Sequence, residues 1–192
     1  MPLIHSALAG KGGICPSSDK RNERRFYNDR IITFQHDVCD LIIPTEFKLA
    51  EAIHVVIPWR DGYQKFVEHT IAKDSSFADY LDGMMGIINL LKIPTFILSG
   101  KQIARMLKPH RMHDVYMSGY GGQSVYSVWN YDGALPSSSE ELEDFVGENF
   151  DWVLDFSCGY GEIMEHCKKA VLTDVNTGCI AYIVNKYGLK EV

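Results

Sequence analysis

Two rhythms of hydrophobic and polar positions alternate along the chain. Short apolar runs rich in β-branched residues predict strands over 31–34 (IITF), 53–59 (IHVVIPW), 93–100 (IPTFILSG), 151–156 (DWVLDF) and 170–175 (AVLTDV). Between them the apolar residues recur at helical spacing. Phe77, Tyr80, Leu81, Met84, Met85, Ile88, Leu90 and Leu91 predict a helix over 77–91. Ile103, Ala104, Met106 and Leu107 mark a shorter helix stopped by Pro109. Ser138 or Ser139 offers an N-cap to an acidic helix over 140–147, and Ile180, Ile183 and Val184 face inward from a helix over 177–188. Residues 114–120 and 124–130 alternate with period two about Gly121-Gly122, the pattern of a hairpin, in which sheet packing accounts for Tyr116, Tyr120 and Tyr126.

Strands that alternate with helices predict an α/β fold, a mostly parallel sheet with helices on both faces, to which the hairpin adds an antiparallel strand. Residues 30–192 read as one domain, and residues 1–29 as an irregular arm carrying Lys20, Arg21, Arg24 and Arg25. A chain of 192 residues buries a core without metal or disulfide staples. Its net charge of −6 argues against an extended basic footprint for nucleic acid. Two local places remain where a phosphate backbone would be met: the arm, and the run Lys108, His110, Arg111 and His113. A solvated arm and a solvated loop are the plain alternatives. The five cysteines form no C-x-x-C pair, which fits free thiols in a reducing compartment and gives no metal site. No apolar run is long enough to span a bilayer and no signal peptide opens the chain, so a cytoplasmic protein with no membrane partner is expected.

The chemistry concentrates in VLDFSCGYGE (153–162). A strand runs into a Gly-rich turn that is expected to open a helix. Gly159 and Gly161 allow a ligand close to the backbone, and a helix N-terminus beyond would offer unpaired N–H groups. Asp174 ends the next strand, where a carboxylate accepts hydrogen bonds from ribose hydroxyls in dinucleotide folds. A ligand-free strand–helix turn is the alternative.

This segment resembles the first motif of class I S-adenosylmethionine-dependent methyltransferases, and TDVN (173–176) is similar to their second. The resemblance implies S-adenosylmethionine as cofactor. Asp155, Ser157, Cys158, Gly159 and Gly161 would surround its methionine end, and Asp174 and Asn176 would lie by its ribose. Ser157 departs from the usual glycine. The resemblance also implies a Rossmann-like seven-stranded sheet in circularly permuted order. Residues 30–41 are similar to the third strand, whose terminal acid, here Asp37, lies by the adenine. IHVVIPW is similar to the fourth strand, KIPTFILSG to the fifth, and the hairpin to the sixth and seventh. Along the chain the order is then 3-4-5-6-7-1-2, and joining Val192 to about Tyr27 would restore the usual one.

Permuted members include amino-group methyltransferases of DNA and RNA, which carry a D/N/S-P-P-Y/F/W tetrapeptide after the fourth strand. Here the sequence is Val56-Ile57-Pro58-Trp59, then Arg60-Asp61. Pro58 and Trp59 match its second half, and Asp61 would replace the missing polar group. Trp59 is open to three readings: packing, a platform for a planar substrate, or a partner contact. N-methylation of an amine such as a nucleobase is the expected reaction. An inactive cofactor-binding or partner-binding subunit, and a small-molecule methyltransferase, are the alternatives.

Overall fold

The computed structural model describes residues 24–40, 42–57, 62–117 and 124–192. Within them the apolar runs form nine strands: β1 Arg25–Tyr27, β2 Ile31–Gln35, β3 Ala52–Val56, β4 Thr95–Gly100, β5 Arg111–Val115, β6 Ser124–Trp129, β7 Trp152–Asp155, β8 Lys169–Asp174 and β9 Lys190–Glu191. They make one sheet in the order β5-β6-β4-β3-β7-β8-β2-β1-β9. The central strands β4, β3, β7, β8 and β2 are parallel. β6 runs antiparallel to β4 and β5, and β1 antiparallel to β2 and β9.

Side chains along a strand alternate between faces, and the core shows it. Ile31 and Ile32, Ala52 and Ile53, Val153 and Leu154, Ala170 and Val171 are sequence neighbours that fall into two separate apolar clusters. Burial on both faces is why these strands read as unbroken apolar runs. The helices supply the cover. They are α1 Tyr63–Val67, α2 Phe77–Leu91, α3 Lys101–Leu107, α4 Ser139–Asn149 and α5 Thr177–Tyr187. Leu81, Met84, Met85 and Ile88 of α2 pack on one face, with Phe47 from a 3-10 turn at Thr45–Leu49. Leu142 and Val146 of α4 and Ile183 of α5 pack on the other. Each such side chain, fully buried, contributes roughly 1.5–3 kcal/mol.

Capping fixes where the helices start. The Ser76 hydroxyl accepts from the Asp79 amide, and the Asp79 carboxylate accepts from the Ser76 amide, a reciprocal box at the start of α2. Of the two candidate serines, Ser138 caps α4, and Asn176 caps α5 through the Gly178 amide.

Four expectations are corrected. The sheet has nine strands among the described residues, not seven, because residues 25–27 and 190–191 pair with each other and extend the edge beyond β2. Residues 25–27 are therefore strand, not irregular arm. No α-helix follows the Gly-rich turn: Glu162–Glu165 is a 3-10 turn that leads almost directly into β8. Part of the reason is the close approach of α4, since a Cβ on Gly147 would strike the His166 carbonyl. The hairpin starts earlier than its alternation implied, at Arg111, with Val115 opposite Ser124. Its Gly-Gly turn and Tyr120 lie outside the described residues.

Candidate functional site

Parallel strands put all their C-terminal ends on one edge of the sheet. β7 hands on to β8 on one side, while its other neighbour β3 hands on to β4 in the opposite direction. A divergence of this kind leaves a crevice where open α/β sheets bind ligands. The acids Asp155 and Asp174 end β7 and β8 at this edge, and Asp37 follows β2.

The turn after β7 is bonded from several sides. The Ser157 amide donates to Asp155 Oδ1 at 3.2 Å, and the Cys158 amide donates to the Thr173 carbonyl at 3.1 Å. Asp174 binds two backbone amides, Gly159 through Oδ2 at 3.0 Å and Asn176 through Oδ1 at 2.9 Å. A carboxylate has about four lone-pair sites, so acceptor capacity is left over on a side chain only 2% exposed. The carbonyl of Asp174 also accepts from the His36 amide at 3.1 Å, linking the two strand ends. The Asp37 carboxylate turns back to the Cys39 amide at 2.9 Å.

The two glycines of the turn both have positive φ, for different ends. A Cβ on Gly161 (φ 73°) would lie 3.2 Å from Ile183 and Leu172, so its missing side chain serves packing. A Cβ on Gly159 (φ 52°) would meet nothing within 4 Å, so the backbone there faces open space.

Burial pushes the Asp155 carboxyl up to about 8, against the lowering bond from the Ser157 amide and with a further push from Asp174. Asp174 is raised too, again by burial, with the amides of Asn176 and Gly159 opposing it. The Cys158 thiol is buried and driven well above its ordinary value by burial, which keeps it from acting as a nucleophile.

Two side chains outside the expected site belong to this crevice: Tyr80, which the sequence pattern assigned to the apolar face of its helix, and Tyr63, which it did not single out. The hydroxyl of Tyr80 on α2 hydrogen-bonds the Ser157 hydroxyl at 2.7 Å, so the serine that replaces the usual glycine has a partner of its own. Tyr63 of α1 lies 5.5 Å, ring to ring, from both Tyr80 and Phe77. No residue type or spacing in the sequence singles out either one for the site.

The resemblance implied a ligand with an ammonium, a ribose and an adenine, and the groups present match that in kind: open backbone at Gly159, two carboxyls at the strand ends, apolar walls at Val38 and Val175. The room does not match. Tyr63, Phe66 and Val67 of α1 close the crevice against Tyr80, Phe156, Ser157 and Asp174. The cavity left measures about 10 Å³, far below the roughly 300–1,000 Å³ of small-molecule clefts. Among the described residues, the part of the crevice under α1 has no room for an adenosyl group.

Of the proposed contacts, Asp155, Ser157, Cys158, Gly159, Gly161, Asp174 and Asn176 surround this one turn. The Asn176 side-chain oxygen is taken by the cap of α5. Pro58, Trp59 and Asp61 lie outside the described residues. The strand leading to them reaches the same edge, and Ile57 is buried and donates its amide to the Leu98 carbonyl at 3.1 Å. Val56 is 43% exposed and presents only an aliphatic side chain there.

The other polar clusters bond within the fold. His54 is buried on β3 against the Tyr126 hydroxyl at 3.1 Å, and burial lowers it to about 4. His166 is held between Asp144 at 2.7 Å and Glu143 at 3.2 Å. The basic run at 108–113 pins the loop after β6: the Arg111 guanidinium donates to the Gly133 carbonyl, His113 bonds the Pro136 carbonyl, and His110 accepts from the Asn130 amide. Arg24 and Arg25 pair with Glu191 and Glu46. Among the described residues no His, Cys, Asp and Glu cluster suits a metal ion, and no helix is long and apolar enough to cross a membrane.

No protein-family model and no curated protein matches the chain. Among solved structures it is similar to M1.HpyAVI, with 12% sequence identity and a TM-score of 0.51 over 83% of this chain and 100% of that one. The M1.HpyAVI–SAM complex aligns with 81% of this chain and 98% of its own, at 11% identity and a TM-score of 0.47. The chain shares the α/β fold of M1.HpyAVI.

Proposed function

We propose that the chain is an S-adenosylmethionine-dependent methyltransferase with circularly permuted strands, acting on an amine such as the exocyclic amine of a nucleobase. The observation that carries this reading is the order of the sheet. Numbered by the resemblance, β7 is the first strand, β8 the second, and β2, β3 and β4 the third to fifth. The central run β4-β3-β7-β8-β2 then reads 5-4-1-2-3, which is the doubly wound nucleotide-binding order. The Gly-rich turn falls at its switch point. The proposed rejoining site supports the permutation as well: Phe26 pairs with Glu191, and the Val192 amide donates to the Arg25 carbonyl at 3.2 Å. Positions that lie this close are what permutation needs.

The bound cofactor would supply an electrophilic methyl group. The chain's own part is to hold the ligand at Asp155, Gly159 and Asp174 and to orient an acceptor beside β3. Displacement at a methyl carbon asks for proximity and alignment more than for a strong base. The exposed aliphatic Val56 leaves orientation of an amine to backbone carbonyls and to Asp61.

One observation favours a second reading, an inactive cofactor-binding or partner-binding protein: an aliphatic Val56 stands where a polar residue would orient an amine. The net charge of −6 likewise keeps a small-molecule acceptor in view. Transfer of a labelled methyl group to DNA, RNA and small amines separates the three. Transfer to one of these classes supports the enzyme, and cofactor binding without transfer supports the inactive protein. Trp59→Ala is expected to abolish turnover with cofactor binding retained; full activity removes Trp59 from the site.

A further inference from the structure

The crevice holds groups that match an adenosyl ligand, and among the described residues its part under α1 lacks the room for one. We propose that the segment 62–75, built around α1, is a cover that closes the cofactor crevice and must leave it before an adenosyl ligand enters. The cover has this role only if the crevice is the cofactor site, so it rests on the methyltransferase reading.

Val67 and Tyr63 are buried, and Phe66, 40% exposed, sits at the mouth. These three side chains occupy one wall, facing Ser157 and Asp174 on the other. The remainder of the lining comes from strand ends, the residues just after them and α2, which the sheet and its packing hold in place. The removable wall is therefore α1. It has one and a half turns and no side-chain cap at Gly62, too short a helix to be stable by itself. Bonds within the segment keep it together as a unit, Gln64 to the Lys73 carbonyl at 3.2 Å and the Thr70 hydroxyl to the Val67 carbonyl at 2.8 Å. Its hold on the crevice is apolar and aromatic, through Tyr63 against Phe77 and Tyr80. A contact of that kind parts and re-forms without breaking a buried polar network.

Closure of this sort reduces apparent affinity by the fraction of open molecules. Weakening the cover should then tighten binding, the reverse of what loss of a ligand contact does. Stopped-flow mixing and calorimetric titration with S-adenosylmethionine test this on the full chain, as wild type, Phe66→Ala and Tyr63→Ala. Phe66 is partly exposed, so its variant keeps the test available where Tyr63→Ala does not fold. The expected result is a wild-type binding rate that levels off at high ligand concentration, and a variant affinity about five-fold tighter with a higher plateau. A rate that stays linear in ligand concentration, with affinity unchanged or weakened in Phe66→Ala, overturns the cover while leaving the cofactor reading intact. Absence of binding in wild type and variants alike overturns both.

Discussion

The amide of Gly159 donates to Oδ2 of Asp174 at 3.0 Å, tying the turn after β7 to the end of β8. The carboxylate expected to meet a ligand thus also shapes the cradle around it. Its other oxygen takes the Asn176 amide. Asp174→Ala is expected to do two things. Loss of the acceptor abolishes cofactor binding, and two amides lose their partner, at a cost of about 1–3 kcal/mol for each that stays buried. Urea denaturation alongside a titration checks both. Unchanged stability would show that water replaces the carboxylate freely, and unchanged affinity would remove Asp174 from the ligand site.

The glycines of the turn should respond differently to alanine. Each has positive φ, which costs a residue with a Cβ about 1–2 kcal/mol. Gly161→Ala adds the clash with Ile183 and Leu172, so its midpoint of thermal unfolding should fall further than that of Gly159→Ala. Gly159→Ala puts a methyl group into open space and should chiefly weaken ligand binding. Equal effects on both measures in the two variants contradict this division.

Much of the fold is legible in the residues alone, and the reasons are local. Ser76 and Asp79 box the start of α2, and its apolar face repeats at helical spacing, so its limits can be read directly. β7 and β8 are buried on both faces and carry dense apolar runs. β1 and β9 lack such a signal, being three and two residues long and stabilised by pairing across nearly the whole chain. The helix expected after Gly161 fails for a tertiary reason, the approach of Gly147 to His166. At the site, the acids and glycines are marked by type and spacing. Tyr80 and Tyr63 are not, because only the fold brings α1 and α2 over the turn.

Tyr80 and Ser157 form a pair that substitution can separate. Tyr80→Phe removes the bond at 2.7 Å and is expected to cost about 1 kcal/mol. In Ser157→Gly the tyrosine hydroxyl stays buried and partnerless, and the cost should be larger, roughly 1–3 kcal/mol. A double-mutant cycle should return a coupling of about 1 kcal/mol. Additive single effects show that the contact contributes nothing to stability.

The pH dependence of stability arises from two buried groups of opposite sign. Asp155 is raised from 3.8 to about 8. Its contribution is fully present below the unfolded value and is lost as pH rises through the folded one. His54 is lowered from 6.5 to about 4. Its contribution is present above 6.5 and is lost as pH falls toward 4. Each acts with up to about 1.4 kcal/mol per pH unit, so they oppose one another between pH 4 and 6.5. From pH 6.5 to 8 the Asp155 slope acts against no counterpart from His54. Unfolding free energy should therefore decline over that upper window in wild type, and decline less in Asp155→Asn. A wild-type curve that rises from pH 6.5 to 8 contradicts the assignment of Asp155 as a neutral acid in the free protein.

The same acid makes ligand binding sensitive to protons. A cation beside Asp155 favours its ionised form, so binding near pH 7 should release a proton. Titrations in buffers of differing ionisation enthalpy read that number directly. A value of zero at pH 7, with binding intact, places the ligand's positive charge away from Asp155.

The most direct measurement is a calorimetric titration of S-adenosylmethionine into wild type, Gly159→Ala and Phe66→Ala. The account predicts saturable binding at one site per chain, weaker in Gly159→Ala and tighter in Phe66→Ala. No saturable heat in any of the three at millimolar ligand would contradict it, and would leave the Gly-rich turn as a strand connection that binds no adenosyl group.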